Sequence, residues 1–242
     1  MTALSLTIDA FLAQLSTSLP WALAPAFVLR EVSTSWLELM AVLLSLLMVV
    51  CTVYEKHWGW PLAALSSLLY FWLFWLNRLY GDAWLQIFFA VMALWGWWMW
   101  LRTAGNEVLH ITRLNTRARL RIGGVSLLLW LGTGWWLRQH TDTDVPWWDA
   151  FPTAVSVVGQ YLLAHKRLEN WATWVLVNVV AAALFAWKGL WLTTLLYMVF
   201  IGMSVWGWRT WLQRLNEHST ERLKESSDET ENASANKGLN TP

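Results

Sequence analysis

Charge is scarce in this chain: of 242 residues, 14% are Asp, Glu, Lys or Arg, against 57% that are hydrophobic. With a mean hydropathy of +0.38, that balance excludes an ordinary soluble domain. A net charge of +1 gives no electrostatic footprint for nucleic acid. The lone cysteine, Cys51, excludes an intramolecular disulfide and a thiolate metal cluster, and reads as a small apolar packer. His57, His110, His140, His165 and His218 are scattered over loops, span ends and the tail, without metal-ligand spacing. No P-loop or nucleotide-hydrolysing motif occurs, so the sequence carries no energy source and calls for no cofactor. The opening residues lack the positive n-region of a signal peptide and read as a short amphipathic helix lying on a membrane.

What the chain has in quantity is apolar length and tryptophan, 23 of them. Seven runs, at 36–54, 60–76, 82–101, 120–137, 147–164, 171–187 and 190–212, each suffice to cross roughly 30 Å of hydrocarbon as a helix. Lipid offers the backbone no hydrogen-bond partner, and the runs lack the alternation of barrel strands, so an all-α integral membrane protein with seven transmembrane helices is expected. Lys and Arg set the orientation. Thirteen fall in the loops after the first, third and fifth spans and in the C-terminal segment, against four on the other side. That places the N-terminus outside and the C-terminus in the cytoplasm.

One more pattern lies in the spans. At an offset of 111 residues, 42–100 slides without a gap onto 153–211, with 13 identities in 59 positions, including Trp60 with Trp171, Leu73-Phe74 with Leu184-Phe185, and Trp95-Gly96-Trp97 with Trp206-Gly207-Trp208. Spans one to three therefore match spans five to seven, and the odd fourth span lets both halves enter the membrane in the same direction: a 3+1+3 parallel repeat. The expected segments are 1–35 periplasmic, 36–101 a first three-helix bundle, 102–119 a basic cytoplasmic loop, 120–146 a linker helix and periplasmic loop, 147–212 a second bundle, and 213–242 a polar, disordered cytoplasmic tail.

Polar side chains within hydrocarbon are costly, so their positions point to function. Asp149, Thr153, Ser156 and Gln160 form one narrow stripe on the fifth span. Trp171, Trp174 and Asn178 share a side of the sixth. Thr193, Tyr197 and Ser204 share a face of the seventh, Asp82 and Gln86 of the third, and Ser67 and Tyr70 stand three apart in the second. Helix-to-helix hydrogen bonding accounts for an isolated Ser66 or Ser204. The amides of Asn178, Gln86 and Gln160 point to a pathway, where an indole such as Trp174 one turn from Asn178 holds a flat or cationic ring. No titratable residue lies near the middle of a span, which favours passive transport over ion coupling and weakens a membrane enzyme.

With W-x-x-W-x-x-x-N at 171–178, and with 148 WDAFPT 153, 187 WKGLWLTTLLY 197 and 80 YGDAWLQ 86, the sequence resembles the nicotinamide riboside transporter family of bacterial vitamin carriers over residues 36–211. The first half has Trp60, Ala63 and Ser67 at the corresponding positions, so the full motif occurs once. The resemblance implies a bundle like that of the SWEET sugar carriers, a homotrimer in the bacterial inner membrane, and facilitated diffusion with trapping by a separate cytoplasmic kinase. On that basis Trp171 and Trp174 wall in the ring, Asn178, Gln86 and Gln160 bond the carboxamide and ribose hydroxyls, Tyr197, Ser156 and Thr153 complete the lining, and Tyr70 sits near its edge. The partners are a small-molecule substrate and the lipid bilayer. Thiamine, riboflavin or a deoxynucleoside are alternative cargoes. A lipid-modifying membrane enzyme and a structural or signalling protein are the rival classes.

Overall fold

The computed structural model describes residues 3–29, 32–76, 80–103, 110–140, 145–187 and 191–238. They fall into two compact units, Met1–Leu109 and His110–Pro242. Among the described residues, four stretches are long and apolar enough to cross a membrane: Trp36–Val53, Gly59–Leu76, Ala83–Arg102 and Glu169–Trp187.

The first unit opens with α1 (Ala3–Ser18), a short α2 (Pro20–Leu23) and a hairpin of β1 (Pro25–Leu29) and β2 (Val32–Ser35). The hairpin is an exception to an otherwise all-helical chain. It pairs Phe27 with Thr34 and Val28 with Ser33, where β-branched and aromatic residues suit an extended backbone. Ser35 then starts α3 (Trp36–Val53), its hydroxyl accepting from the Glu38 amide at 3.2 Å. α4 (Gly59–Leu76) packs on both α3 and α5 (Tyr80–Thr103). Ile8, Leu12 and Leu15 of α1 pack against the cluster of Leu37, Trp72, Trp75 and Ala83. The Trp75 indole donates to Asp9 Oδ1 at 2.6 Å, so α1 is tied to the bundle through tertiary contacts.

In the second unit, α6 (Thr116–His140), α7 (Pro146–Ala164), α8 (Glu169–Trp187) and α9 (Trp191–Gly238) pack each on the next. α6 starts at Thr116, inside the stretch expected to be a loop; Asn115 caps it, its side-chain oxygen accepting from the Ala118 amide at 2.8 Å. α9 continues as helix to Gly238, where composition alone suggests a disordered tail. The added turns extend an existing helix, so they need no new nucleus.

The 111-residue periodicity recurs in the backbone of each unit. α3 and α7 both end in a Schellman turn with a non-glycine residue in the left-handed region, Glu55 at φ 57° and Lys166 at φ 47°. Lys56 N donates to Cys51 O at 2.8 Å, and Arg167 N to Leu162 O at 2.9 Å. Side chains repeat as well. The Trp60 indole lies where a Cβ on Gly96 would collide with it, and Trp171 does the same to Gly207. Trp60 meets Trp100 edge-on at 5.5 Å, and Trp171 meets Trp211 edge-on at 5.4 Å. Each unit thus wedges its second repeat helix against its third by the same device.

Candidate functional site

α7 presents the polar stripe. Thr153 returns its hydroxyl to the Asp149 carbonyl at 3.3 Å, one turn back. Ser156 and Gln160 follow along the same face and are 6% and 7% exposed. Among the described residues no group hydrogen-bonds either side chain. Neither side chain contributes a fully buried, unpartnered polar atom, so both keep some accessible surface, and this stretch of α7 carries polarity that no other described residue consumes. Asp149 stands in the first turn of α7, where a carboxylate suits the helix dipole.

α8 supplies the indole and the amide. The ring of Trp174 seats on Gly159 of α7, where a Cβ would lie 3.2 Å from it. That seat puts Trp174 beside Gln160 along the chain. Asn178, one turn further along α8 and 7% exposed, donates to Ser204 Oγ of α9 at 3.5 Å, the outer limit of a hydrogen bond. Ser204 in turn donates to Phe200 O at 2.7 Å. The Asn178 amide is therefore weakly engaged.

The remaining expected residues divide. Tyr197 stacks on Phe185 at 5.2 Å. Trp171 is 2% exposed, its indole N–H is buried with no acceptor among the described residues, and its ring is spent on Gly207 and Trp211. Its counterpart Trp60 sits the same way, so the Trp171 ring holds α8 against α9. Tyr70, stacked on Phe74 at 5.6 Å, and the half-buried Gln86 belong to the first unit. The Asp82 side chain and residues 188–190 of the WKGLW stretch lie outside the described residues. Ser204 hydrogen-bonds Asn178 across two helices, the helix-to-helix role expected of it, and Gly159, which sequence reasoning passed over, is the seat of Trp174. A glycine in mid-helix, opposite a tryptophan on the next helix, was the available signal for that seat.

α7 and α8 thus carry an indole, two amides and hydroxyls, chemistry of the kind that holds flat aromatic rings, and among the described residues no cluster of His, Cys, Asp and Glu could hold a metal. The sequence profile of the nicotinamide mononucleotide transporter family matches residues 35–213. The chain belongs to this family. Among curated members of known name it is similar to the nicotinamide riboside transporter PnuC of Escherichia coli K12, at 26% identity over 215 residues, covering 78% of this chain and 90% of that protein. It is equally similar, at 26% over 215 residues, to the riboflavin/roseoflavin transporter RibM of Streptomyces davaonensis, covering 84% and 97%. The PnuC of Neisseria mucosa is 27% identical over 202 residues, covering 76% and 75%. The crystal structure of the vitamin B3 transporter PnuC superimposes with a TM-score of 0.63 at 23% identity, over 90% of this chain and 94% of that one. The family therefore has a known fold, and this chain is a multi-pass membrane protein whose named relatives carry vitamins across membranes.

Proposed function

We propose that this protein takes up nicotinamide riboside by facilitated diffusion, the cargo being trapped afterwards by a separate cytoplasmic kinase. The observation that carries the reading is Gln160, 7% exposed on α7, whose amide has no hydrogen-bond partner among the described residues and is not sealed from solvent. Transport needs polar groups that water or substrate can satisfy in turn, and a fully bonded amide serves that badly. Trp174 stacks on the nicotinamide ring, Asn178 and Gln160 bond its carboxamide and the ribose hydroxyls, and Ser156, Thr153 and Tyr197 complete the polar lining. Gln86 and Tyr70 are assigned on the sequence pattern alone. Trp171 positions α8 and touches no substrate. The absence of titratable residues in mid-span supports transport without ion coupling. The reading includes seven membrane spans in a SWEET-like 3+1+3 arrangement, assembly as a homotrimer, and placement in a bacterial inner membrane with the C-terminus inside.

Riboflavin is the second reading, favoured by the similarity to RibM along 97% of that protein. Uptake of labelled nicotinamide riboside into proteoliposomes without proton or sodium gradients tests the proposal. Saturable uptake that equilibrates without accumulating supports it. Uptake of riboflavin alone replaces it with the second reading, and no uptake of either sinks both.

A further inference from the structure

A groove of about 470 Å³ runs between α6, α7 and α8 on the side of α7 opposite its polar stripe, walled by Ile122, Leu127, Phe151, Val155 and Leu176 among others. It lies wholly within the second unit and contains none of the residues assigned to the substrate. The polar groups along its length have their donors bonded within the protein. Ser126 donates to Ile122 O at 2.9 Å, Thr173 to Glu169 O at 3.0 Å, and the Trp130 indole to Trp147 O at 2.7 Å. Leu127 and Leu176, half-exposed at 49% and 50%, flank its open side. Gly123 leaves a gap in the wall, for a Cβ there would meet nothing within 4 Å.

The groove is charged at one end only. Arg119 pairs with Glu169 there at 2.9 Å and also donates from Nε at 3.1 Å. Glu169 is nearly satisfied, because both its oxygens also receive the Leu114 amide, at 3.1 and 3.2 Å. Arg119 is not: among the described residues, two of its five donors are used, and its side chain is 54% exposed. Arg113, Arg117 and Arg121 are exposed in the same stretch of chain, so the potential at this end is positive. An apolar slot open along one side, with unspent guanidinium donors at its mouth, has the chemistry of a phospholipid site.

We infer that this groove binds one acyl chain of an anionic phospholipid whose phosphate group is held by Arg119. The chain leaves one apolar phase for another on entering, so the groove itself contributes placement and little selectivity. Preference among lipids must come from the headgroup end. A bound lipid braces α6 against the α7–α8 pair, and the inference is independent of which vitamin is carried.

The test is thermal unfolding of the purified full chain in detergent, with added dioleoyl phosphatidylglycerol, dioleoyl phosphatidylcholine or inorganic phosphate. Phosphatidylglycerol raises the midpoint by several degrees, phosphatidylcholine by less than a third of that, and inorganic phosphate not at all. Gly123→Leu, which fills the gap, keeps the detergent-only midpoint and loses the phosphatidylglycerol increment. Arg119→Gln responds equally to the two lipids, and Arg119→Lys recovers part of the difference. Equal stabilisation of the wild type by both lipids overturns the inference, as does an effect reproduced by inorganic phosphate. So does an increment that survives in both Gly123→Leu and Arg119→Gln.

Discussion

The indole of Trp171 fills the space that a Cβ on Gly207 would require, and Trp60 stands in the same relation to Gly96. Both glycines are therefore packing positions in helices that otherwise favour larger residues. Gly207→Ala and Gly96→Ala each overpack a tight helix contact, with an expected loss of about 1–3 kcal/mol. Gly202 and Gly132 have open space where a Cβ would go, and alanine there is neutral or slightly stabilising. Thermal unfolding of the four variants in one detergent measures this. Equal tolerance at all four would remove the wedge as a structural device.

Replacing Gln160 with leucine separates binding from stability. The amide has no partner to lose among the described residues and is not sealed from solvent, so the variant changes stability little. Uptake falls severalfold because the cargo loses a hydrogen bond. Unfolding midpoints measured beside initial uptake rates decide the matter: a variant that folds poorly, or one that transports normally, contradicts the assigned role.

Asn178 and Ser204 should differ in degree. Asn178→Ala removes the proposed substrate contact, worth about 0.5–1.5 kcal/mol, and is expected to weaken affinity severalfold or more. Ser204→Ala removes only the long 3.5 Å hydrogen bond that steadies the amide, so its effect on affinity is smaller. Titration calorimetry of both variants with nicotinamide riboside gives the order, and a larger loss at Ser204 would reverse the proposed roles.

Glu169 carries more of the second unit's stability than its partner does. Arg119 is half-exposed, and an ion pair at such a position contributes about 0–1 kcal/mol. Glu169 also receives the Leu114 amide, pinning the chain before α6 to the start of α8. Glu169→Ala should therefore cost more than Arg119→Ala, by about 1 kcal/mol for the lost backbone bonds. Chemical unfolding of both variants measures the gap, and equal losses would mean the backbone bonds contribute nothing.

Helix positions were legible because apolar runs of membrane-crossing length leave the backbone few alternatives, and the repeat was legible because Trp-Gly-Trp recurs without a gap. The distinct fates of Trp171 and Trp174 were not. Three residues apart, they differ by only about 60° around a helix, and spacing places them on one side. α8 lies between α7 and α9, and those few tens of degrees send Trp171 to Gly207 and Trp174 to Gly159. The hairpin before α3 escaped notice for a different reason: strands as short as Val32–Ser35 leave no periodicity to read.

The glycine seat of Trp174 has no copy. Where the second unit has Gly159 and Trp174, the corresponding positions of the first are Met48 and Ala63, while the Trp-on-Gly wedge is kept in both. The shared wedge and the unshared aromatic seat are thus written in separate residues, so the seat can be changed without disturbing the wedge. Met48→Gly with Ala63→Trp would inscribe the same aromatic seat on the other half, giving a chain with two of them on one unchanged frame.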